Sequence, residues 1–233
     1  EVGSLSSGSD MYLTAKKDIR FKAIEDKAGK NNQVTTITSG GNLITDSGGD
    51  TTFQASNIDV DGTAYLKTGG NLNFTTVTDK SSFNEHSKDD TTTTIRNGYE
   101  EKERGVNLSV GETFIAESGN NITLTAASMD IGGDAILSAE NNVDILAGKQ
   151  QSLVNEETVT ETSRGYVRYP WNGSRFGHLN QNKDVKKTSS TTHTEGHVAT
   201  NMNVGGSLSI DSGNDISIVA SQLSAGKDLS LMA

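Results

Sequence analysis

A phrase of about 36 residues is written three times in this chain, each copy separated from the next by an unrelated polar insert. Residues 40–75 read GGNLITDSGGDTTFQASNIDVDGTAYLKTGGNLNFT, residues 111–146 read GETFIAESGNNITLTAASMDIGGDAILSAENNVDIL, and residues 205–233 read GGSLSIDSGNDISIVASQLSAGKDLSLMA. Without a gap, Ser47-Gly48 falls on Ser118-Gly119 and Ser212-Gly213, and Ala55 on Ala126 and Ala220. Self-similarity of this kind belongs to stacked repeat architectures. A shorter beat of 21 residues runs inside each phrase, since Ser47-Gly48 returns as Thr68-Gly69 and Ser118-Gly119 as Ala139-Glu140.

Within the beat apolar residues alternate with Ser, Thr or Asp: Leu208 and Ile210, then Ile216, Ile218 and Ala220, then Leu229, Leu231 and Ala233. Period-2 alternation over short stretches predicts strands with one face buried. Gly-Gly, Gly-Asn and Gly-Asp pairs separate them, and these supply turns at little steric cost. A strand-and-turn unit returning every ~20 residues can pair only with its neighbours, which predicts a right-handed parallel β-helix, coils ~4.8 Å apart. Composition fits a narrow solenoid and not a globular α/β enzyme: of 233 residues only 32% are hydrophobic and 5% aromatic, with 25 glycines and one proline. The only stretch rich in helix formers, Tyr99 to Arg104, is short and uncapped, so almost no helix is predicted.

The inserts, at about 24–38, 76–109 and 147–203, change length while the coils stay constant, so they leave the helix at one edge and return to it. Thr91 to Ile95, Glu156 to Thr162 and Thr188 to Thr194 are polar runs that favour strand. The expectation is an all-β chain: a single β-helix segment over 1–233, cut from a longer solenoid, whose long antiparallel hairpins stack into a flanking sheet. Lys27 to Asn31 would be the turn of the short hairpin. Without cysteine there is no disulfide framework, and no 18-residue apolar run exists to span a membrane as a helix.

A net charge of −10 argues against general binding to nucleic acid, which requires cationic neutralisation of phosphates. The charge is uneven. Arg164, Arg168 and Arg175 lie with Tyr166, Tyr169, Trp171 and Phe176 in an acid-free stretch near the middle of the longest insert, where a hairpin tip falls. Such rings and guanidinium groups form a recognition patch for a sugar or a protein pocket, or else pack on a neighbouring hairpin or coil. Other candidates carry less. His193 and His197 in HTEGH have their Glu in the wrong place for a zinc-protease helix and sit among strand-favouring threonines. Asp59-Val60-Asp61-Gly62 lacks the later ligands of a calcium loop, and Asp46, Asp50, Asp211 and Asp215 are read as turn residues rather than catalytic carboxylates. Asn121-Ile122-Thr123 and Asn172-Gly173-Ser174 match a glycosylation sequon that chance supplies in so Asn- and Thr-rich a chain. No catalytic residue, cofactor or metal is expected.

The phrases GNDISIVASQLSAGKDLSLMA and GNNITLTAASMDIGGDAILSA resemble the haemagglutinin repeats of filamentous haemagglutinin-type exoproteins, and TSSTTHTEGHVATNMNV before GGSLSIDSGNDISI is similar to the Ser/Thr-rich return of that family's second repeat class. The likeness covers essentially the whole chain. It implies a Gram-negative exoprotein of two-partner secretion, exported by an outer-membrane transporter to the bacterial cell surface. Two roles follow from the resemblance: an adhesive segment that contacts a host or target-cell surface protein or glycan, or the delivery stalk of a contact-dependent growth inhibition toxin. A polysaccharide-cleaving enzyme is a remote third reading, and a monomer is the expected state of the isolated chain.

Overall fold

The computed structural model describes residues 3–24, 32–168 and 178–233, with backbone alone for 166–168 and 178–180. The chain divides into two compact units: Glu1–Lys80 with Glu101–Gln150 and Glu195–Ala233, and Ser81–Glu100 with Gln151–Thr194. Every regular element among the described residues is a strand.

The first unit is a parallel β-helix of three sheets. Its first sheet stacks Ser4–Ser7, Thr36–Ser39, Asn57–Val60, Asn107–Val110, Ser128–Ile131, Asn201–Val204 and Gln222–Ala225. The second stacks Met11–Ala15, Leu43–Ser47, Ala64–Thr68, Phe114–Ser118, Ala135–Ala139, Leu208–Ser212 and Leu229–Met232. The third stacks Ile19–Phe21, Thr51–Gln54, Leu72–Thr75, Ile122–Thr125, Val143–Leu146 and Ile216–Val219. Each coil visits the sheets in that order. Following the second sheet, Leu43 pairs Ala64, Phe114 pairs Ala135 and Leu208 pairs Leu229, all 21 residues apart. The expected β-helix and its beat are therefore observed.

Alternate residues of every strand point inward and stack in columns. Phe114 lies between Ala64 and Ala135 in its column and above Ala116 in its own strand, so one large ring is matched by small neighbours. In the third sheet Phe21 stacks on Phe53 and Phe53 meets Phe74 edge-to-face, with ring centroids 5.1 and 5.2 Å apart. At five strand ends, Ser39, Ser47, Thr68, Ser118 and Ser212, the inward residue is a buried hydroxyl. Ser118 Oγ reaches the carbonyls of Gly70 and Asn121 at 2.7 and 2.9 Å, and Ser39 Oγ those of Ser9 and Asn42 at 3.0 and 2.9 Å. Backbone carbonyls that face the interior are thereby paired. Thr45 Oγ1 is a buried hydroxyl without a partner.

At the turns after the second sheet the side-chain amides and carboxylates form a ladder of their own. The backbone N–H of Asp50 donates to Asp18, that of Asn71 to Asp50, Asn121 to Asn71, Asn142 to Asn121 and Asp215 to Asn142, at 2.8–3.3 Å. Asp50 and Asp215 are thus turn residues. Asp46 and Asp211 are not: they lie within Leu43–Ser47 and Leu208–Ser212, where a five-residue strand turns its fourth side chain outward. Ala220 also differs from the alternation, for it is not a strand residue but a corner with φ of 49°.

Candidate functional site

The inserts all leave at one kind of corner, between the third sheet and the first. In the second sheet the offset from Met11 to Leu43 is 32 residues, from Ala64 to Phe114 it is 50, and from Ala135 to Leu208 it is 73, each followed by an offset of 21. Corners therefore alternate: one tight, the next carrying an insert. At the tight corners Ala55, Ala126 and Ala220 hold φ of 46°, 48° and 49°, a left-handed conformation that costs a non-glycine residue about 1–2 kcal/mol.

At the open corners the base is clamped by polar contacts. Thr200 Oγ1 donates to Leu146 O at 2.6 Å and accepts from Ala127 N at 3.1 Å, joining both ends of the longest insert to the tight corner at Ala126-Ala127. Arg104 meets Asp79 at 2.6 Å and Asn32 O at 3.2 Å, while Lys80 meets Glu101 at 2.9 Å. Gly105 has no room for a side chain, because a Cβ there would overlap Ala126 O.

The second unit is built from the greater part of four long strands paired in sequence order: Val77–Lys88, Thr92–Arg104, Gly148–Arg168 and His178–Val198. Asp89 N donates to Thr92 O in the first hairpin turn, and Glu161 N to Thr91 O across the seam between hairpins. Cross-strand pairs mark an antiparallel sheet: Arg96 with Glu85 and Glu156, Lys183 with Glu161, Lys187 with Glu157. Each of the two longer inserts supplies two strands, and the neighbouring hairpins meet at hydrogen-bonding distance between Thr92–Arg104 and Gly148–Arg168. The Asp89 carboxylate accepts from the N–H of Thr91 and Thr92 at 3.0 and 2.7 Å, which lowers its pKa below the usual value.

Of the predicted aromatic-basic patch, Arg164 is exposed in Gly148–Arg168, and Tyr166 and Arg168 belong to the same strand. Tyr169, Trp171, Arg175 and Phe176 lie outside the described residues, as do the turn at 27–31 and the sequon at Asn172. His193 and His197 are exposed on one face of a strand, not a helix. Among the described residues no group of three or more His, Cys, Asp or Glu converges as a metal site would require. Asn121 of the other sequon is engaged in the ladder, accepting from Asn142 N at 3.0 Å.

Sequence reasoning missed the outward face of the second sheet. There Tyr65 donates its hydroxyl to Glu117 Oε2 at 2.7 Å. That bond, with desolvation behind it, pushes the Tyr65 pKa up to about 12. Beside it a shallow groove of about 560 Å³ crosses four coils, with Asp46, Lys67, Glu117 and Glu140 on its walls. The signal was available in the period-2 pattern, because Tyr12, Ile44, Tyr65, Ile115 and Ile136 break the polar alternation on the outward side.

The Hemagglutinin repeat family model matches residues 22–92 and 90–233. The chain belongs to the haemagglutinin repeat family. Its repeat is 30% identical over 207 residues to the 16S rRNA endonuclease CdiA of Enterobacter cloacae, a match covering 85% of this chain and 6% of that protein. The tRNA nuclease CdiA of Yersinia mollaretii is 30% identical over 127 residues, covering 53% of the chain and 4% of the relative, and tRNA nuclease CdiA-2 of Burkholderia pseudomallei 26% identical over 215 residues, covering 84% and 6%. The haemagglutinin-repeat chain thus spans only about one-sixteenth of the length of these curated relatives. No solved structure matches it.

Proposed function

We propose that this haemagglutinin-repeat segment is a shaft of a secreted Gram-negative surface exoprotein, and that the parent is of the toxin-delivering, contact-dependent inhibition kind. The observation that carries this reading is that the chain aligns to CdiA nucleases over a small share of their length, as a stack of coils. The carboxylates of Asp18 and Asp50 act as ladder rungs and that of Glu161 as an ion-pair partner, which suits a load-bearing repeat better than a reaction site. In this reading an outer-membrane two-partner transporter exports the parent, and the nuclease activity named for the relatives resides elsewhere in it.

The aromatic-basic residues favour a second reading, adhesion through the longest hairpin. Binding of the purified chain to whole bacterial and epithelial cells separates the two, with wild type compared against a Tyr169→Ala, Trp171→Ala, Arg175→Ala variant of unchanged β-sheet circular dichroism. A shaft gives no binding by either form. Binding by wild type that the triple variant loses would replace the shaft with an adhesin that recognises a cell-surface protein or glycan.

A further inference from the structure

The first sheet turns only Ser, Thr, Asn, Asp and Gln outward, and the third sheet carries two outward apolar residues, Leu146 and Val219. The second sheet is different. Tyr12, Ile44, Tyr65, Ile115 and Ile136 occupy one register position in five successive coils, an outward apolar column about 19 Å long. Tyr12 at one end is 65% exposed and Ile136 at the other 41%. A contiguous apolar strip on an otherwise largely polar surface marks a place where something docks.

The adjacent column says what. Two residues further along each strand stand Thr14, Asp46, Lys67, Glu117, Ser138 and Asp211. We propose that a second copy of this chain packs face to face on this sheet, about a two-fold axis parallel to the strands and midway between Ala64–Thr68 and Phe114–Ser118. That operation overlaps six strands. It sets Tyr65 against Ile115 of the second copy, Ile44 against Ile136, and Lys67 against Glu117, each contact occurring twice as an isologous interface requires. Tyr65 holds Glu117 through Oε2, which leaves the other carboxylate oxygen to meet the incoming ammonium. An axis through Lys67 itself would oppose two ammonium groups. An axis one coil earlier would set Lys67 against Asp46 but overlap only four strands. The charge column therefore selects the register.

The shared face measures about 500 Å² per copy from strand spacing and rise, below the roughly 800 Å² per partner of stable complexes. The dimer is accordingly weak and concentration-dependent, and it revises the expectation of a monomer. Analytical ultracentrifugation of the chain from micromolar to millimolar concentration tests this. Wild type should dimerise; Lys67→Glu and Glu117→Lys should each weaken dimerisation about tenfold or more, by setting like charges opposite one another. The Lys67→Glu, Glu117→Lys double variant should restore it, and Asp46→Lys should leave it within a few-fold. Circular dichroism of each variant reports folding separately. A chain that stays monomeric throughout, or one that associates without regard to these substitutions, as end-to-end pairing of strand edges would, overturns the proposal. Failure of the double swap to rescue would overturn the register with it.

Discussion

The solenoid and the long-stranded sheet are both built from strands, yet they are held together by different physics. In the solenoid the strands of the inner coils bury one side, and Phe53, Phe74, Phe114, Leu43, Leu66, Leu72 and Ile122 are wholly enclosed. The sheet has no enclosed side: beyond Val77, the strand Val77–Lys88 is half-buried or exposed at every residue, and Thr92–Arg104 throughout. Its order comes from long hydrogen-bond ladders and from cross-strand pairs such as Arg96, which also lies 5.3 Å over the Phe83 ring. Apolar burial fixes the coil. Length and pairing alone fix the hairpins, so their stability is local and modest.

The sharpest way to break this contrast is Phe53→Ala. Loss of the ring that touches both Phe21 and Phe74 should cost about 3–5 kcal/mol and lower the urea midpoint of the whole solenoid, because coils stabilise one another through nearest neighbours. Next comes Ala126→Val, where a β-branched side chain must adopt the left-handed corner; a cost of about 2 kcal/mol is expected. Ala126→Gly should be nearly neutral, since relief of about 1 kcal/mol is offset by entropy gained in the unfolded chain. Equal effects of the two, read from thermal melts, would mean that the corner is not strained. Asn71→Ala leaves Asn121 N, 3.3 Å from it, without its acceptor and should cost about 1–2 kcal/mol.

On the sheet the numbers shrink. Arg96→Ala removes two half-exposed ion pairs and should change stability by about 0.5 kcal/mol. Hydrogen exchange should quicken in 81–100 and 151–165 while the solenoid's protection stays put. Smallest of all is the pH effect at Asp89. Its pKa is depressed in the folded hairpin, so its contribution is present above the ordinary value of 3.8 and is lost as pH falls through the lower folded value. Thr91 and Thr92 amide shifts followed by NMR on acidification should move in that window, and Asp89→Asn should abolish the transition.

Much of the solenoid was legible because its rules are local. A buried column every second residue and a turn pair every ten or so are written directly in Leu208-Ser209-Ile210 and Gly213-Asn214. The left-handed corners were not, although Ala55, Ala126 and Ala220 align without a gap, because alanine gives no composition signal for positive φ as glycine does. By sequence alone Asp46 and Asp211 read as turn residues, because acids and turns go together in this chain; only the register of a five-residue strand tells that the fourth position faces out. The outward apolar column was hidden for a related reason: each of its members sits next to an inward apolar residue, so Tyr12-Leu13 or Ile136-Leu137 reads as continuous core. The candidate patch from Arg164 to Phe176 was picked out by composition, which shows the residues but not what they face.

The alternation of tight and open corners gives this architecture a form of modularity. Every second coil offers a port at which polypeptide can be threaded out and back without disturbing any column of the interior. The two longer inserts occupy 76–106 and 147–200, and lengthening a closed loop from the first size to the second costs only roughly 0.5 kcal/mol in chain entropy. Cargo at these ports can therefore drift in length and chemistry almost freely, while substitutions in the coils are policed by packing. An engineer wishing to display a foreign hairpin on this scaffold would place it at an open corner, and would expect a tight one to accept it only after the left-handed alanine is relinquished.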